Sequence, residues 1–388
     1  MKKALATAAS QNAWRWMTRA RILDAVVRRD AESLATWITE TENESALALL
    51  ELADVVASAV GTLAPLPSPL ERSILREPTR WVSALGRHVR GRSEDASAAA
   101  SLVARFGTAD DATLLREFER SRSGRPRKRG LATQLIRRVS PTVRIHDLGL
   151  SSYEVGERRV ALADTRRKSA ALLLFLVTRP DLAANREQAM EALWPDQTPK
   201  SALNSLHQTI FNLRRELEPW YEDGSSADYL HMDAELVRLD PELFQVDSIA
   251  FARQAANIIG SGAAGKAGAD MLALYRGPFA PEFEYEEWAS EWRTHLHTAF
   301  LRLAHVTAAD LLDERRFGEV VEVLTPVAQV DPTAYDIRST LVGCLAAAGA
   351  SDAALAHYRS MAATYERDLG LPIRPFSELV EAMSSMPD

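Results

Sequence analysis

A change of hydrophobic period at residue 143 constrains the fold of this chain more than any other feature. From there, apolar and polar residues alternate over 143–145, 152–155 and 159–162, and Gly149 and Gly156 separate the segments. Short alternating segments with glycine between them predict an antiparallel three-strand meander. A helix is then expected to begin near Asp164, whose carboxylate can cap it, and to end before Pro180.

Two more helices and a hairpin follow this first helix. Residues 185–195 and 200–218 have helical spacing, and an Asp-Ala-Glu turn at 233–235 joins two alternating segments at 229–232 and 236–239. The order over residues 141–245 is therefore strands, three helices and a hairpin, with small β-sheets.

Helical spacing returns after Pro241. One helix is predicted over 244–259 and another over 288–312, followed by helix pairs with turns at Gly318, Pro332 and Gly349. Small residues fall where such helices would pack closely, which predicts a TPR-like (tetratricopeptide-like) α-helical domain over residues 246–388.

Residues 1–140 form a third region, which is also predicted to be helical. Helices are expected over 71–89, 96–106 and 110–121, and the stretch 96–121 is similar to one unit of a HEAT-like solenoid. The fold class is therefore mainly α, with a helical region of unknown role, a segment of three helices with small β-sheets, and a TPR-like helical domain.

Charge is distributed unevenly along the chain. Residues 1–140 carry 23 Lys and Arg against 16 Asp and Glu, whereas residues 141–245 carry 12 against 17. The first region contains a basic run that offers auxiliary phosphate contacts at Arg125, Arg127, Lys128 and Arg129, next to Arg120 and Arg122. The run is either an arm that contacts nucleic-acid phosphates or a solvated loop between helices, since Ser, Gly and Pro interrupt it and it contains no aromatic residue.

Several function classes receive no support. Cys344 is the single cysteine and stands in an apolar run, so we expect a buried, inert thiol and a reducing, cytoplasmic location. The amino terminus is a poor signal peptide, and the longest apolar run is too short to span a membrane. There is no phosphate-binding P-loop, and His295 and His297 point apart on a helix, so we expect no enzyme activity, no cofactor and no metal site.

A family resemblance emerges from several stretches taken in order. They are VRIHDLGLSSYEVGERRVAL, TRRKSAALLLFLVTRP, NREQAMEALWPD, ALNSLHQTIFNLRREL, LYRGPFAPEFEYEEWASEWR and GLPIRPFSELVEAM. From residue 142 onward the chain resembles the SARP family of actinobacterial antibiotic regulatory proteins, which join an OmpR-type winged helix to a bacterial transcriptional activation domain (BTAD). The resemblance implies a winged helix-turn-helix over residues 141–245, in a transcription regulator that binds promoter DNA and contacts RNA polymerase.

The helix at 200–218 is the candidate DNA-reading element. Leucine and isoleucine at 203, 206, 210, 213 and 217 form one stripe, which must face the core. Ser201, Asn204, Ser205, Gln208 and Asn212 then face outward with Arg215, and Asn and Gln can pair with adenine in the major groove. The predicted DNA-binding residues are Arg166, Arg167, Lys168, Lys200, Asn204, Gln208, Asn212, Arg214 and Arg215.

The basic group Arg166, Arg167 and Lys168 stands at a helix start, where positive charge opposes the helix dipole. Phosphate binding would explain this placement, and a solvated helix start is the alternative. The family usually has a small polar residue and Arg where this chain has Phe211 and Asn212. Phe211 would either touch a thymine methyl or pack against the hairpin or another protein.

Two further features bear on partners. The hairpin offers His231 and Arg238 against Asp228, Asp233 and Glu235, which is a weak wing for phosphates. The aromatic residues Phe279, Phe283, Tyr285, Trp288 and Trp292 are expected to dock the third domain on the winged helix, inside a solvated acidic rim. Because residues 141–245 have a net negative charge, we expect DNA binding to need positive charge from the basic first region or from a homodimer. The alternative function is an interaction scaffold that has lost most sequence-specific DNA binding.

Overall fold

The structure is a computed structural model that describes residues 68–76, 78–91, 96–123, 130–218, 226–262 and 264–384, with isolated positions between 20 and 37. The chain divides into two compact units. One contains residues 1–140 and 218–228, and the other contains residues 141–217 and 229–388. No helix among the described residues is both long enough and apolar enough to cross a membrane.

The first unit is helical where it is described. Its helices are α1 (Ser68–Arg76), α2 (Pro78–Arg90), α3 (Ala96–Phe106), α4 (Ala112–Ser123) and α5 (Leu131–Val139). The prediction of one helix over 71–89 is wrong, because Pro78 begins a second helix, as proline does readily in a first turn. Helix α3 has the predicted bounds, and Trp81, Leu85, Val103 and Leu115 form much of the buried core. The HEAT-like assignment stays a prediction.

The second unit begins with the predicted meander. Its strands are β1 (Val143–His146), β2 (Ser152–Val155) and β3 (Arg158–Ala161), and both pairs are antiparallel. Gly156 has φ +59°, which suits a glycine turn between β2 and β3. Buried Val143, Ile145 and Tyr153 anchor this sheet to the core.

Three helices and a second sheet complete the winged helix. They are α6 (Arg167–Val177), β4 (Ala183–Asn185), α7 (Arg186–Leu193), α8 (Pro199–Leu217), β5 (Leu230–Met232) and β6 (Leu236–Leu239). The strand order is β4-β6-β5, so the predicted hairpin gains a third strand that the sequence analysis missed. Asp164 does not cap α6. It lies in a preceding 3-10 turn, and Arg166 occupies the N-cap position.

The segment 244–259 is not one helix as predicted. Residues Phe244–Val246 form β7, which pairs in parallel with β1, and helix α9 (Asp247–Ser261) begins directly after it. The alternation of buried Phe244, exposed Gln245 and buried Val246 is a strand pattern, but three residues are too few to distinguish it from a helix by period.

The remaining helices form a succession of packed neighbours. They are α10 (Gly265–Leu272), α11 (Glu287–Asp313), α12 (Phe317–Val330), α13 (Tyr335–Ala347), α14 (Ser351–Ala362) and α15 (Phe376–Ser384). Pro332 and Gly349, with φ +82°, lie in turns as predicted, whereas Gly318 lies inside the first turn of α12. Cys344 is buried, as expected. The TPR-like assignment stays a prediction.

Candidate nucleic-acid interface

Helix α8 has one buried and one exposed face. Its buried residues are Ala202, Leu206, Thr209, Ile210, Leu213 and Leu217, while Leu203 is only half-buried. The predicted apolar stripe is therefore correct except at Leu203. Lys200, Ser201, Asn204, Gln208 and Arg215 are exposed, whereas Ser205 and Asn212 are half-buried. The outward face is narrower than the sequence predicted.

Side chains on this face bond to one another. The Gln208 amide donates to Asn212 Oδ1 at 3.3 Å, so these two amides lie one helical turn apart and point at each other. Near the start of α8, the hydroxyls of Ser201 and Ser205 donate to Gln197 Oε1 at 3.2 and 3.0 Å. These bonds leave Asn204, exposed between the two groups, as the amide best placed to reach a ligand.

Arg214 ties α8 to the hairpin. Its Nε and Nη2 both donate to the carbonyl oxygen of Leu230, at 2.9 and 2.7 Å. Because two of its nitrogens bond to one backbone carbonyl, the Arg214 guanidinium has less freedom to reach a phosphate than the sequence alone suggested. Arg215 is different, because it is exposed and its guanidinium lies 5.8 Å from the centroid of the Phe211 ring.

Two large apolar side chains are exposed near the same helix. Phe211 is 44% exposed, and Leu236 of β6 is 37% exposed. A soluble surface tolerates single exposed apolar residues, but a phenylalanine on a recognition face removes one polar contact. The exposed Phe211 therefore makes this surface less polar than a recognition face with a small polar residue at that position.

The three basic residues at the start of α6 have different contacts. Arg167 lies over the Phe283 ring at 4.9 Å, with Nη2 3.5 Å from Glu286 Oε1. Lys168 donates to the carbonyl oxygen of Leu193, the last residue of α7, and lies 5.7 Å from the Trp194 ring. A cation at that carbonyl favours the end of α7. All three side chains, including that of Arg166, are exposed, and phosphate contact by this group stays a prediction.

The positive charge of Arg166 also affects the pKa of Glu216, near the end of α8. Burial raises the pKa of the Glu216 carboxyl, and the charges of Arg166 and Arg158 oppose that rise. Arg158 also donates to the backbone carbonyl of Glu216. The end of α8 is thus held against the β3 side of the winged helix by positive charge.

The hairpin is acidic at its tip. Asp233 Oδ1 accepts the backbone N–H groups of Glu235 and Leu236, both at 2.9 Å, which fixes the turn. His231 Nε2 lies 3.8 Å from Asp233 Oδ2, and Arg238, exposed on β6, is in register with His231. In the described part of the hairpin, Arg238 is thus an exposed cation close to the exposed carboxylates of Asp233 and Glu235.

The auxiliary basic residues Arg125, Arg127, Lys128 and Arg129 lie outside the described residues. Of their neighbours, Arg122 lies 5.2 Å from the Phe118 ring and bonds to the Ser97 hydroxyl. No group of histidine, cysteine and carboxylate side chains that could hold a metal ion occurs in the described part of the chain. His295 stacks on Trp292, and His297 bonds to Asp331 at 3.0 Å.

A polar and aromatic junction joins the winged helix to the helices after it. Trp288 packs edge-on against Phe175 of α6, with ring centroids 6.1 Å apart. Phe279 and Phe283 are also buried, so these three predicted anchors are correct, but Tyr285 is 94% exposed and is not one. Trp292 is half-buried.

The acidic residues of this junction are not merely a solvated rim. Glu282 accepts the backbone N–H and the hydroxyl of Ser151, at 3.0 and 2.7 Å. Asp147 is fully buried and accepts the N–H and hydroxyl of Ser248 at the start of α9, and burial raises the pKa of Asp147 to about 7. Sequence reasoning missed this pair, because nothing local relates residues 101 positions apart.

The comparisons with known proteins address the second unit. Residues 246–385 match the family model of the bacterial transcriptional activator domain, which confirms the predicted resemblance where it placed that domain. The chain is similar to the solved structure of Mycobacterium tuberculosis EmbR in complex with a low-affinity phosphopeptide, at 20% identity and a TM-score of 0.47. The similarity covers 62% of this chain and 65% of EmbR, which is less than two thirds of that protein. No curated protein matches the chain.

Proposed function

We propose that this chain, with a bacterial transcriptional activator domain over residues 246–385, regulates transcription by binding double-stranded promoter DNA through α8. The observation that carries the proposal is the exposed polar line of Lys200, Asn204 and Gln208, on the face of α8 opposite its buried stripe. An α-helix fits the major groove of B-DNA, and amide side chains can distinguish adenine there.

The residues of the surface take different roles. Asn204 and Gln208 read base edges, with Asn212 holding the Gln208 amide in place. Lys200, Arg215 and Arg166 contact phosphates, since they are exposed cations. Arg214 and Lys168 are positioning residues that fix the hairpin and α7 around α8.

Affinity needs a second source of positive charge. Residues 141–245 carry 12 basic and 17 acidic side chains, and neutralised phosphates supply most non-specific affinity. The basic first region, including Arg125, Arg127, Lys128 and Arg129, or a second copy of the chain supplies it. The activator domain contacts a protein partner, with RNA polymerase as the expected one.

A selection from randomised duplex DNA tests this proposal with the full chain at 100 mM KCl. We expect one enriched sequence, which is bound at least tenfold more tightly than its scrambled version. Asn204→Ala and Gln208→Ala should each lose about 1–3 kcal/mol of discrimination at a single base pair. Arg215→Ala should weaken binding to all sequences alike. Gln254→Ala, an exposed glutamine on α9, is the matched control. No enrichment, or equal losses for the Gln208 and Gln254 variants, would contradict DNA reading by α8.

A second candidate function is an interaction scaffold that has lost promoter reading. The exposed Phe211 and Leu236 favour it, because apolar and aromatic residues anchor protein interfaces more often than DNA contacts. The two functions differ in the effect of Phe211→Ser. The substitution would improve or preserve DNA binding by a regulator, but it would abolish partner binding by a scaffold.

A further inference from the structure

A cleft opens where the winged helix meets the first activator helices. Its volume is about 920 Å³, within the range of small-molecule sites. The walls are the loop between α6 and β4, strand β7, the outer face of α9 and Trp292 of α11. All of these belong to the second unit, and none is part of the α8 surface.

One wall of the cleft has an unfavourable backbone. Asp181 and Leu182 have φ values of +53° and +55°, and both lie in the left-handed region that side chains other than glycine rarely adopt. Each such residue costs on the order of 1 kcal/mol. Leu182 is buried, so packing holds this loop in place. Strained backbone of this kind is concentrated at ligand-binding sites.

Part of the lining is apolar. Trp292 is half-buried, and its indole N–H donates to the Ser248 hydroxyl at 3.3 Å, which fixes the ring. Phe244, Ile249 and Ala250 line the cleft beside it. A fixed aromatic ring next to aliphatic side chains suits a planar apolar body.

Two arginines supply the charge. Arg179 is fixed by bonds to the Thr178 hydroxyl at 3.0 Å and to the Trp288 carbonyl at 3.3 Å. Arg253 is exposed and, within the described ranges, has no hydrogen-bond or ion-pair partner. Of the lining carboxylates, Asp247 is bonded to His146 at 2.8 Å, which leaves Asp181 as the exposed opposing charge. Among the described lining residues, Arg253 therefore offers an unbonded cationic donor, beside the exposed neutral amide of Gln245.

We propose that this cleft binds a small organic anion with a planar apolar body, the anionic group on Arg253 and the body against Trp292. Such a ligand would contact the loop that leads into β4 of the hairpin sheet and, on the other side, helix α9 of the activator domain. An effect of the ligand on DNA binding rests on the proposed function, whereas ligand binding itself does not.

Two fluorescent probes with one aromatic body test the site. Anilinonaphthalene sulfonate carries the anion, and N-phenyl-1-naphthylamine lacks it. Each is titrated into the full chain without DNA. We expect saturable binding of one sulfonate probe per chain, several-fold tighter than that of the neutral probe. Arg253→Ala should weaken the sulfonate about 5- to 10-fold and leave the neutral probe unchanged, because it removes a charge-assisted contact.

Two further variants control the result. Arg359→Ala removes an exposed arginine on α14 away from the cleft and should change neither probe. Asp181→Asn removes the opposing charge with a residue that tolerates a positive φ, and should leave the sulfonate as tight or tighter. Equal sulfonate binding by wild type and Arg253→Ala, a preference for the neutral probe, or weakening by Asp181→Asn would overturn the proposal. Because no DNA is present, these outcomes leave the test of α8 unaffected.

Discussion

Asp147, directly after the first strand of the winged helix, and Ser248, in the first activator helix, form a buried hydrogen-bonded pair. Asp147 Oδ1 accepts the backbone N–H of Ser248 at 2.9 Å, and Oδ2 accepts its hydroxyl at 2.6 Å. The Ser248 hydroxyl also accepts the indole N–H of Trp292, so three elements meet at two side chains.

The Asp147 carboxyl should make stability depend on pH. Burial raises its pKa to about 7 from the ordinary value of 3.8, so the folded chain holds a proton there that the unfolded chain releases between those values. The stability from this group is complete below about pH 4 and falls as pH rises to about 7. Asp147→Asn lacks this titration, and its stability relative to wild type should rise on the order of 3 kcal/mol from pH 4 to pH 8.

Urea denaturation of both proteins at four pH values measures this difference. All other residues are the same in wild type and variant, so the difference between the two proteins isolates Asp147 to first order. A constant difference between pH 4 and pH 8 would show that Asp147 is ionised throughout.

Arg214→Ala should loosen the hairpin from α8. The substitution removes two bonds to the Leu230 carbonyl, and we expect a loss of about 1–2 kcal/mol of unfolding free energy. Amide hydrogen exchange should accelerate over 230–239, and Arg214→Lys should restore part of the protection. Arg238→Ala, an exposed arginine on β6, is the control, and equal acceleration in both variants would count against a positioning role.

Trp288→Ala should separate the activator helices from α6. Trp288 is 8% exposed and packs against Phe175 and Phe283, so we expect the free energy of unfolding to fall by about 3–5 kcal/mol. Tyr285→Ala, at a 94% exposed position three residues earlier, should cost less than about 0.5 kcal/mol. Thermal unfolding of both variants compares them, and similar losses would contradict the assignment of the anchor.

The thiol of Cys344 should react only after unfolding. Burial raises its pKa to about 11, so at pH 8 almost none of the thiol is ionised, and the side chain is also shielded. A thiol-disulfide reagent should modify the native chain at least 100-fold more slowly than the chain in urea. Fast modification without denaturant would mean that α13 opens readily.

The sequence predicted elements whose pattern is local. The alternating strands at the start of the second unit and the apolar stripe of α8 follow from spacing alone, and both are present. The strand β7 was missed because its pairing partner, β1, lies about 100 residues earlier, and no local pattern reports a distant partner.

The contacts of the basic residues also depend on partners that are distant in sequence. Arg167 and Lys168 are adjacent in sequence, yet one lies over Phe283 and the other at the end of α7. Their charges predicted an anion as the partner, but the fold also brought an aromatic ring and a helix carbonyl to them. All three basic side chains, Arg166 included, keep the exposure that the sequence interpretation required.

In the DNA complex proposed above, the parallel pairing of β1 with β7 would fix the orientation of the activator domain about the duplex. Strand β7 runs directly into α9, so no linker separates it from the first activator helix. Insertion of about 5 base pairs between operator and promoter would turn the activator helices to the opposite side of the duplex. Insertion of about 10 base pairs would return them to the original side. Regulation of a target promoter should therefore depend more on the helical phase between operator and promoter than on the distance between them.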